Sequence, residues 1–304
     1  MPKKILMMSI HYPLTMARYF ENAFRADPDV ELKTCGWYTR NWIPWMGGML
    51  LPDKYINKPD VIMGGQEMIG REALYPQVEN VLGDWKPDMV LTLDAGIRWA
   101  VKPKVDCPVV HVATDPHALN YDKPRGYSDI FFNMQKSYSV EGDIYLPYAY
   151  DDTWCYPEPQ EKIYDVALIG MPYGQRVSLV NRIRNAGYTV AFENGAIFDE
   201  YRTINNQAKI GLNWSSLDDL NCRVFEIMGM GLIPVINRVT DLPLHFEEGQ
   251  HYFGFSSEDE AMTKIREALN PDVVLTMPNK AHIEVQDKHT FKHRVKQIME
   301  TVWK

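Results

Sequence analysis

The sequence predicts an α/β protein of two doubly wound domains, each a parallel sheet with helices on both faces. The N-terminal part gives an apolar strand at residues 4–10, an amphipathic helix at Met16–Arg25 and a strand at 30–35, the order in which such domains begin. A second buried strand pattern restarts at residues 164–170, after a proline-rich stretch without periodicity. The chain of 304 residues is long enough for two domains of ordinary size.

Composition restricts the class of protein. Hydrophobic residues make up 45% of the chain and charged residues 24%, as in soluble globular proteins. The net charge of −8 gives no general attraction to nucleic acid or anionic lipid. Four cysteines lie far apart without a C-x-x-C pair, which argues against a zinc site and favours a reducing, cytoplasmic location. No apolar run approaches the roughly 20 residues that span a bilayer, and His11 and Pro13 interrupt the N-terminal run.

Polar residues follow several strands of the N-terminal half. His11 follows the first strand, Asp94 follows Met89–Leu93, and Asp115 and His117 follow the strand predicted next. Each alone is typical of a turn or loop cap. Ligands of open parallel sheets, however, bind beyond the carboxyl ends of the strands. We therefore predict His11, Asp115 and His117 as candidate catalytic residues.

Two further features of the N-terminal half bear on ligands. The first strand is not followed by G-x-G-x-x-G, which weighs against an NAD- or FAD-dependent enzyme. Residues 37–52 include three tryptophans and several glycines. This loop is either a hydrophobic flap over the core or a platform for an acceptor.

Residues 221–234 of the C-terminal half, NCRVFEIMGMGLIP, predict a short helix, a turn and a buried strand. We expect Asn221 to cap the helix and Gly229 and Gly231 to lie where it ends or packs closely. Arg223 and Glu226 share a face near its N-terminus. They are either a solvated intrahelical ion pair or part of a site where the helix N-terminus attracts phosphate and the carboxylate binds sugar hydroxyls.

This stretch, R-x-F-E followed by small residues, a glycine and a strand, resembles the donor-binding segment of GT-B glycosyltransferases, in particular the CgeB-like (spore maturation protein) group. The resemblance covers most of the C-terminal half. D-V-x-x-I-G at residues 165–170, followed by Arg176 near a helix start, and the closing H-T-F-x-x-R at 289–294 also match that group.

The resemblance implies the GT-B fold, in which two Rossmann-like domains face each other across a cleft. We expect an acceptor domain at residues 1–155, completed by a C-terminal helix at about 288–304, and a donor domain at 160–287. The resemblance and the strand ends together indicate these donor-binding residues: Gly170, Tyr173, Arg176, Asn213, Asp218, Arg223 and Glu226. Asp218 and Glu226 form D-x7-E where many retaining enzymes of this fold carry E-x7-E, which leaves the role of Asp218 open.

The implied reaction transfers a sugar from a nucleotide sugar, most simply a UDP-sugar, to a hydroxyl acceptor with retention of configuration. The acidic pairs Asp151-Asp152 and Asp218-Asp219 lie in linker-like stretches, so we assign no metal and expect no cofactor besides the donor. The acceptor stays open between a small molecule, a glycan, a protein and modified DNA. The DNA alternative is based on four basic residues of the N-terminal half, Lys102, Lys104, Lys123 and Arg125. Two other functions are possible, a nucleotide-sugar epimerase of the same fold and a non-catalytic sugar-nucleotide-binding protein.

Overall fold

The computed structural model describes residues 1–39, 52–63, 71–94, 96–270 and 276–304. The chain divides into two compact units, Met1–Pro147 with Lys292–Lys304 and Tyr148–Phe291. Each unit is built around a parallel sheet. The predicted fold class is therefore confirmed.

The first unit contains strands β1 (Lys3–His11), β2 (Val30–Tyr38), β3 (Val61–Ile62), β4 (Arg71–Ala73), β5 (Met89–Leu93), β6 (Ile97–Trp99), β7 (Val109–Ala113), β8 (Ile130–Asn133) and β9 (Ile144–Tyr145). Seven form one parallel sheet in the order β3-β2-β1-β5-β7-β8-β9, and β4 pairs with β6 separately. Strands β5 and β7, MVLTL and VVHVA, are buried along their whole length. Such continuous apolar runs are typical of central strands in parallel sheets that are covered on both faces.

The described residues of this unit form three helices before its last strand: α1 (Met16–Arg25), α2 (Tyr75–Leu82) and α3 (Asp122–Tyr127). Helix α1 begins where the Thr15 hydroxyl accepts a hydrogen bond from the Ala17 N–H. Its Phe20 and Phe24, one turn apart, are fully buried. The apolar periodicity of the sequence therefore corresponds to the face that packs on the sheet.

The second unit contains strands β10 (Tyr164–Ile169), β11 (Val190–Glu193), β12 (Ala208–Asn213), β13 (Ile233–Asn237) and β14 (Phe253–Phe255). They form a parallel sheet in the order β11-β10-β12-β13-β14. Its helices are α4 (Gly174–Asn185), α5 (Phe198–Asn206), α6 (Cys222–Gly229), α7 (Glu258–Ala268) and α8 (Met277–Lys288). Short 3-10 turns lie at Asp53–Tyr55, Lys136–Tyr138 and Leu242–Leu244.

Helix α6 packs unusually close to its neighbours. A methyl group on Gly211 of β12 would lie 2.5 Å from the Ile227 side chain. A methyl group on Gly229 would lie 2.5 Å from the Tyr150 ring. Gly231 has φ +71 and ends the helix. The prediction that Gly229 and Gly231 mark close packing and the end of the helix is confirmed. The glycines fix α6 against the sheet.

Helix α9 (Phe291–Val302) returns the chain to the first unit. The Arg294 guanidinium donates to the Pro147 carbonyl at 2.7 Å, and the Gln297 amide donates to the Tyr145 carbonyl at 2.9 Å. The Lys3 ammonium lies 5.1 Å from the centre of the Trp303 ring. Both ends of the chain therefore belong to the same unit.

Some predicted boundaries differ from the structure. Strand β2 continues through Trp37 and Tyr38, which the sequence placed at the start of a loop. Most of the predicted tryptophan-rich loop, residues 40–51, lies outside the described residues. The sequence predicts a short helix at residues 78–85. In the structure this helix, α2, begins three residues earlier, because Pro76 suits its first turn, and it ends before Gly83. Within the described ranges, no helix combines the length and apolarity needed to cross a bilayer.

Candidate functional site

The predicted donor-site residues of the second unit meet where β10 ends. Gly170, directly after β10, has φ +142, and a methyl group there would lie 2.4 Å from Arg223 Nη2 and 3.6 Å from Arg176 Nη1. Two guanidinium groups thus lie against the backbone of one residue. Only glycine leaves this space without moving an arginine.

A buried polar network orients Arg223. Its Nη1 donates to Asn213 Oδ1 at 3.0 Å, and Asn213 Nδ2 donates to Asn237 Oδ1 at 3.2 Å. Asn237 Oδ1 also accepts a hydrogen bond from the Ser215 N–H at 2.8 Å. Asn213, Ser215 and Asn237 are all buried. The last residues of β12 and β13 therefore hold the guanidinium in place without a carboxylate.

Arg176, on the first turn of α4, is only 4% exposed. It donates to the carbonyls of Trp214 at 2.7 Å and Met171 at 3.0 Å, and its guanidinium lies 4.9 Å from the Tyr173 ring centre. Burial, and next the charge of Arg223, lowers its pKa to about 10, so it stays charged at neutral pH.

Neither of these two arginines is ion-paired with a carboxylate in the part of the chain that the structure describes. Their partners are neutral amide and carbonyl oxygens. Arg176 is buried and Arg223 is half-buried, and Asp219 and Glu226 act on them electrostatically without pairing with them. Holding two cations close together without a paired carboxylate is costly unless further negative charge is supplied. The arrangement therefore fits an anionic ligand at the carboxyl ends of the strands.

Glu226 lies one turn after Arg223 on α6, and the two residues are not joined as an ion pair among the described contacts. Instead, Glu226 Oε2 accepts a hydrogen bond from the Tyr201 hydroxyl at 2.8 Å. Burial raises the pKa of Glu226, whereas Tyr201 and Arg223 act to lower it. Of the two interpretations of this spacing, the intrahelical ion pair is wrong.

Two predicted residues of this region act differently from the rest. Asp218 is exposed and accepts hydrogen bonds from the N–H and the hydroxyl of Thr240, so it ties two loops together. The prediction that the Asn221 side chain caps α6 is wrong. Its Nδ2 donates to Ser215 Oγ at 2.9 Å, because the 214–220 loop brings that hydroxyl within reach.

The candidate residues of the first unit are enclosed by their own neighbours. His11 is the last residue of β1 and is fully buried, and a hydrogen bond of 3.1 Å joins its Nε2 to Ser9 Oγ. Its Nδ1 lies 3.8 Å from a Glu21 carboxylate oxygen. Burial lowers the pKa of His11 to about 4. The side chain is directed towards α1 and is closed off from the end of the strand.

Asp115 and His117 are half-buried in the turn after β7. The Asp115 N–H donates to the Tyr121 hydroxyl at 3.3 Å, and that hydroxyl donates to Asp94 Oδ1 at 3.0 Å. The His117 ring lies 5.9 Å from the Tyr138 ring. The structure thus joins Asp94 and Asp115 through one tyrosine, a connection that sequence reasoning missed.

Comparisons with known proteins bear on the family and the fold. Residues 160–300 match the family model described as glycosyl transferase-like. Sucrose-phosphate synthase from Thermosynechococcus elongatus has a similar structure, with a TM-score of 0.67, 12% identity and 98% of each chain covered. A glycosyltransferase from Rickettsia africae gives a TM-score of 0.63 at 9% identity, covering 99% of this chain and 98% of that one. Anabaena HepE, solved with UDP-glucose, gives 0.63 at 12% identity, with 98% of each chain covered. No curated protein sequence is significantly similar.

These similarities define the class to which the fold belongs, the GT-B glycosyltransferase fold with two Rossmann-like α/β units. The stretch that matches the family model, residues 160–300, holds Gly170, Arg176, Arg223 and Glu226.

Proposed function

We propose that the protein is a glycosyltransferase of the CgeB-like group, which moves a sugar from a UDP-sugar to a hydroxyl group of an acceptor. The observation that carries this proposal is the pair of guanidinium groups, Arg176 and Arg223, that lie over Gly170 and, among the described residues, donate hydrogen bonds to neutral oxygens only. A diphosphate supplies the negative charge that such a pair lacks.

The proposed chemistry follows from this charge. When the bond between the anomeric carbon of the sugar and the β-phosphate oxygen breaks, the diphosphate leaves with the electron pair. The acceptor oxygen bonds to that carbon, and its proton passes to the departing phosphate oxygen. Arg176 and Arg223 compensate the charge that develops on it, and the N-terminus of α6 adds its dipole. We propose that these groups act without a metal ion, and that transfer proceeds with retention, which does not require a protein base.

Glu226 is the proposed partner of the nucleotide's ribose. Its Oε1 accepts no hydrogen bond from the described residues, while Oε2 is held by Tyr201. A carboxylate with one free oxygen can accept hydrogen bonds from vicinal hydroxyls. Tyr173, which is 43% exposed beside Arg176, lies at the same site.

The choice of UDP as the nucleotide has more support than any choice of acceptor. Anabaena HepE was solved with UDP-glucose, which supports UDP as the nucleotide. For the acceptor we propose a hydroxyl compound bound by the first unit near Asp115 and His117. Modified DNA gains no support, because Lys102, Lys123 and Arg125 are each paired with a carboxylate, from Asp129, Glu72 and Asp143.

Thermal shift and calorimetry with UDP, GDP, ADP, TDP and their monophosphates test the donor site. We expect a diphosphate to raise the melting temperature more than its monophosphate, because a ligand that binds only the native state stabilises it. Arg223→Met is expected to weaken diphosphate binding about tenfold or more. Arg184→Met, on an exposed part of α4, is the matched control and keeps wild-type affinity. Failure of every diphosphate to bind would overturn the proposal.

A further inference from the structure

Tyr201 makes a contact that links two helices of the second unit. It lies on α5, is half-buried, and donates its hydroxyl hydrogen to Glu226 Oε2 on α6 at 2.8 Å. The two residues are 25 positions apart, so this contact exists only in the folded unit. Glu226 accepts no other hydrogen bond from the described residues, so Tyr201 determines where this carboxylate points.

The alternative partner of the carboxylate is on the same helix. Arg223 precedes Glu226 by three positions, a spacing at which acidic and basic side chains commonly pair. Such a pair would neutralise a guanidinium whose single hydrogen-bond partner among the described residues is Asn213. It would also occupy the carboxylate. The bond to Tyr201 therefore keeps both charges available to a ligand.

We propose that Tyr201 is a positioning residue, whose hydroxyl holds the Glu226 carboxylate away from Arg223 so that it binds the ribose hydroxyls of the donor. This inference rests on the proposed function, because it assumes a nucleotide at this site. It assigns to α5 a specific role in donor recognition. The inference concerns the ribose and makes no claim about contacts with the phosphates or the base of the nucleotide.

The test compares UDP with 2′,3′-dideoxy-UDP, which lacks both ribose hydroxyls, on the full-length protein by calorimetry. In the wild type we expect UDP to bind about tenfold or more tightly than the dideoxy analogue, because hydrogen bonds to an ionised group are lost. Tyr201→Phe removes only the hydroxyl. It is expected to weaken the binding of UDP about fivefold to tenfold and the binding of the dideoxy analogue less than about twofold.

Tyr188→Phe is the matched control, because Tyr188 is a half-buried tyrosine of the same unit that packs against its core. It is expected to leave both affinities unchanged. Unfolding of the ligand-free variants by heat shows whether either substitution harms the fold. Equal weakening of UDP and the dideoxy analogue in Tyr201→Phe would indicate a purely structural tyrosine and overturn the inference.

The pH profile gives a second readout. The groups that face the Glu226 carboxylate are Tyr201 on α5, Arg223 on α6, and Asp151 and Cys155 in the segment before β10. Loss of the Tyr201 hydrogen bond raises the pKa of Glu226 further, since that bond favours the ionised form. The decline of UDP affinity on acidification is then expected at higher pH in Tyr201→Phe. An unchanged profile contradicts the inference.

The outcomes separate the two proposals. If the wild type binds UDP and the dideoxy analogue equally, the assignment of Glu226 to ribose is wrong, and the role of Tyr201 is overturned with it. If the wild type discriminates between them and Tyr201→Phe discriminates equally well, the donor site stands and only the positioning role is overturned.

Discussion

In both units polar side chains lie at the carboxyl ends of parallel strands, but these side chains have different kinds of partners in the two units. In the first unit, His11 is hydrogen-bonded to Ser9 and lies beside Glu21, and Asp94 is bonded to Tyr121. In the second unit, Arg176 and Arg223 are bonded to neutral oxygens and to no carboxylate of the described ranges.

The difference shows which strand ends are prepared for a charged ligand. A polar group that is satisfied by its neighbours contributes to the shape and stability of its loop. A buried charge that is oriented by neutral groups but not neutralised keeps its charge for an incoming partner. Position at the end of a strand is therefore a weaker indicator of a site than the balance of charge around it.

The largest effect is expected from removing both charges. The double variant Arg176→Met/Arg223→Met should lose about 100-fold or more in affinity for UDP, because two charge-assisted interactions of about 1.5–3 kcal/mol each are lost. Calorimetry measures the affinity, and thermal unfolding checks the fold. If the variant binds UDP as tightly as the wild type does, the lack of a paired carboxylate at the two arginines of the second unit has no functional meaning.

A methyl group at Gly170 should displace Arg223 and weaken UDP binding about tenfold. Gly187→Ala is the control, because Gly187 also has positive φ (+90) but has open space around it. Both variants experience backbone strain, so both are expected to lose stability. Only Gly170→Ala should lose affinity for UDP. If both variants bind UDP equally well, the close approach of Arg223 to Gly170 is irrelevant to binding.

Glu226→Ala should weaken UDP binding by about 1.5–3 kcal/mol, or roughly tenfold or more. The melting temperature without ligand should change little, because burial already disfavours the ionised carboxylate. Glu200→Ala, on an exposed part of α5, serves as the matched control. Unchanged UDP affinity together with lost thermal stability would contradict the ribose assignment.

The smallest effect concerns the first unit. His111 in β7 is fully buried, stacks on Phe131, and has no hydrogen-bond partner for either ring nitrogen among the described residues. Burial, and then the charge of Arg125, lowers its pKa to about 3. The unfolded chain takes up a proton near pH 6.5 while the native chain does not, so stability falls as pH falls from about 6.5 towards 3.

Acidification from pH 7 to 6 should therefore cost about 0.7 kcal/mol through this histidine. In His111→Phe that part of the pH dependence should disappear, while His11, which is also buried and neutral, continues to contribute. Urea unfolding at the two pH values measures the difference. An identical loss in wild type and variant would show that His111 is accessible to protons in the native state.

The sequence predicted elements whose signals are local. Helix α1 and strand β5 have the predicted bounds, because a periodic pattern of apolar residues and an uninterrupted apolar run depend only on neighbouring residues. Helix α2 was placed three residues too late because Tyr75 was not recognised as its start. The grouping of Gly170, Arg176 and Arg223 came from the resemblance to a family.

The partners of these residues were harder to predict. Tyr201, Ser215 and Asn237 lie on elements distant in sequence, and their contacts form only when the sheet assembles. Asn237 had a usable signal, since it is a polar residue that ends the buried strand IPVIN. Asn221 had a strong local signal for capping, but its Nδ2 donates to Ser215 and its Oδ1, the atom that would cap, has no hydrogen-bond partner among the described residues. A local pattern cannot reveal this orientation.

The attachment of α9 has a consequence for biosynthesis. Its anchors, the carbonyls of Tyr145 and Pro147, are translated about 150 residues before Arg294 and Gln297 (both hydrogen bonds span that separation). The first unit therefore cannot be finished until α9 has been translated, which happens after the whole of the second unit has been made. A nascent chain stalled before residue 292 would contain all of the second unit, whereas the first unit would still lack α9.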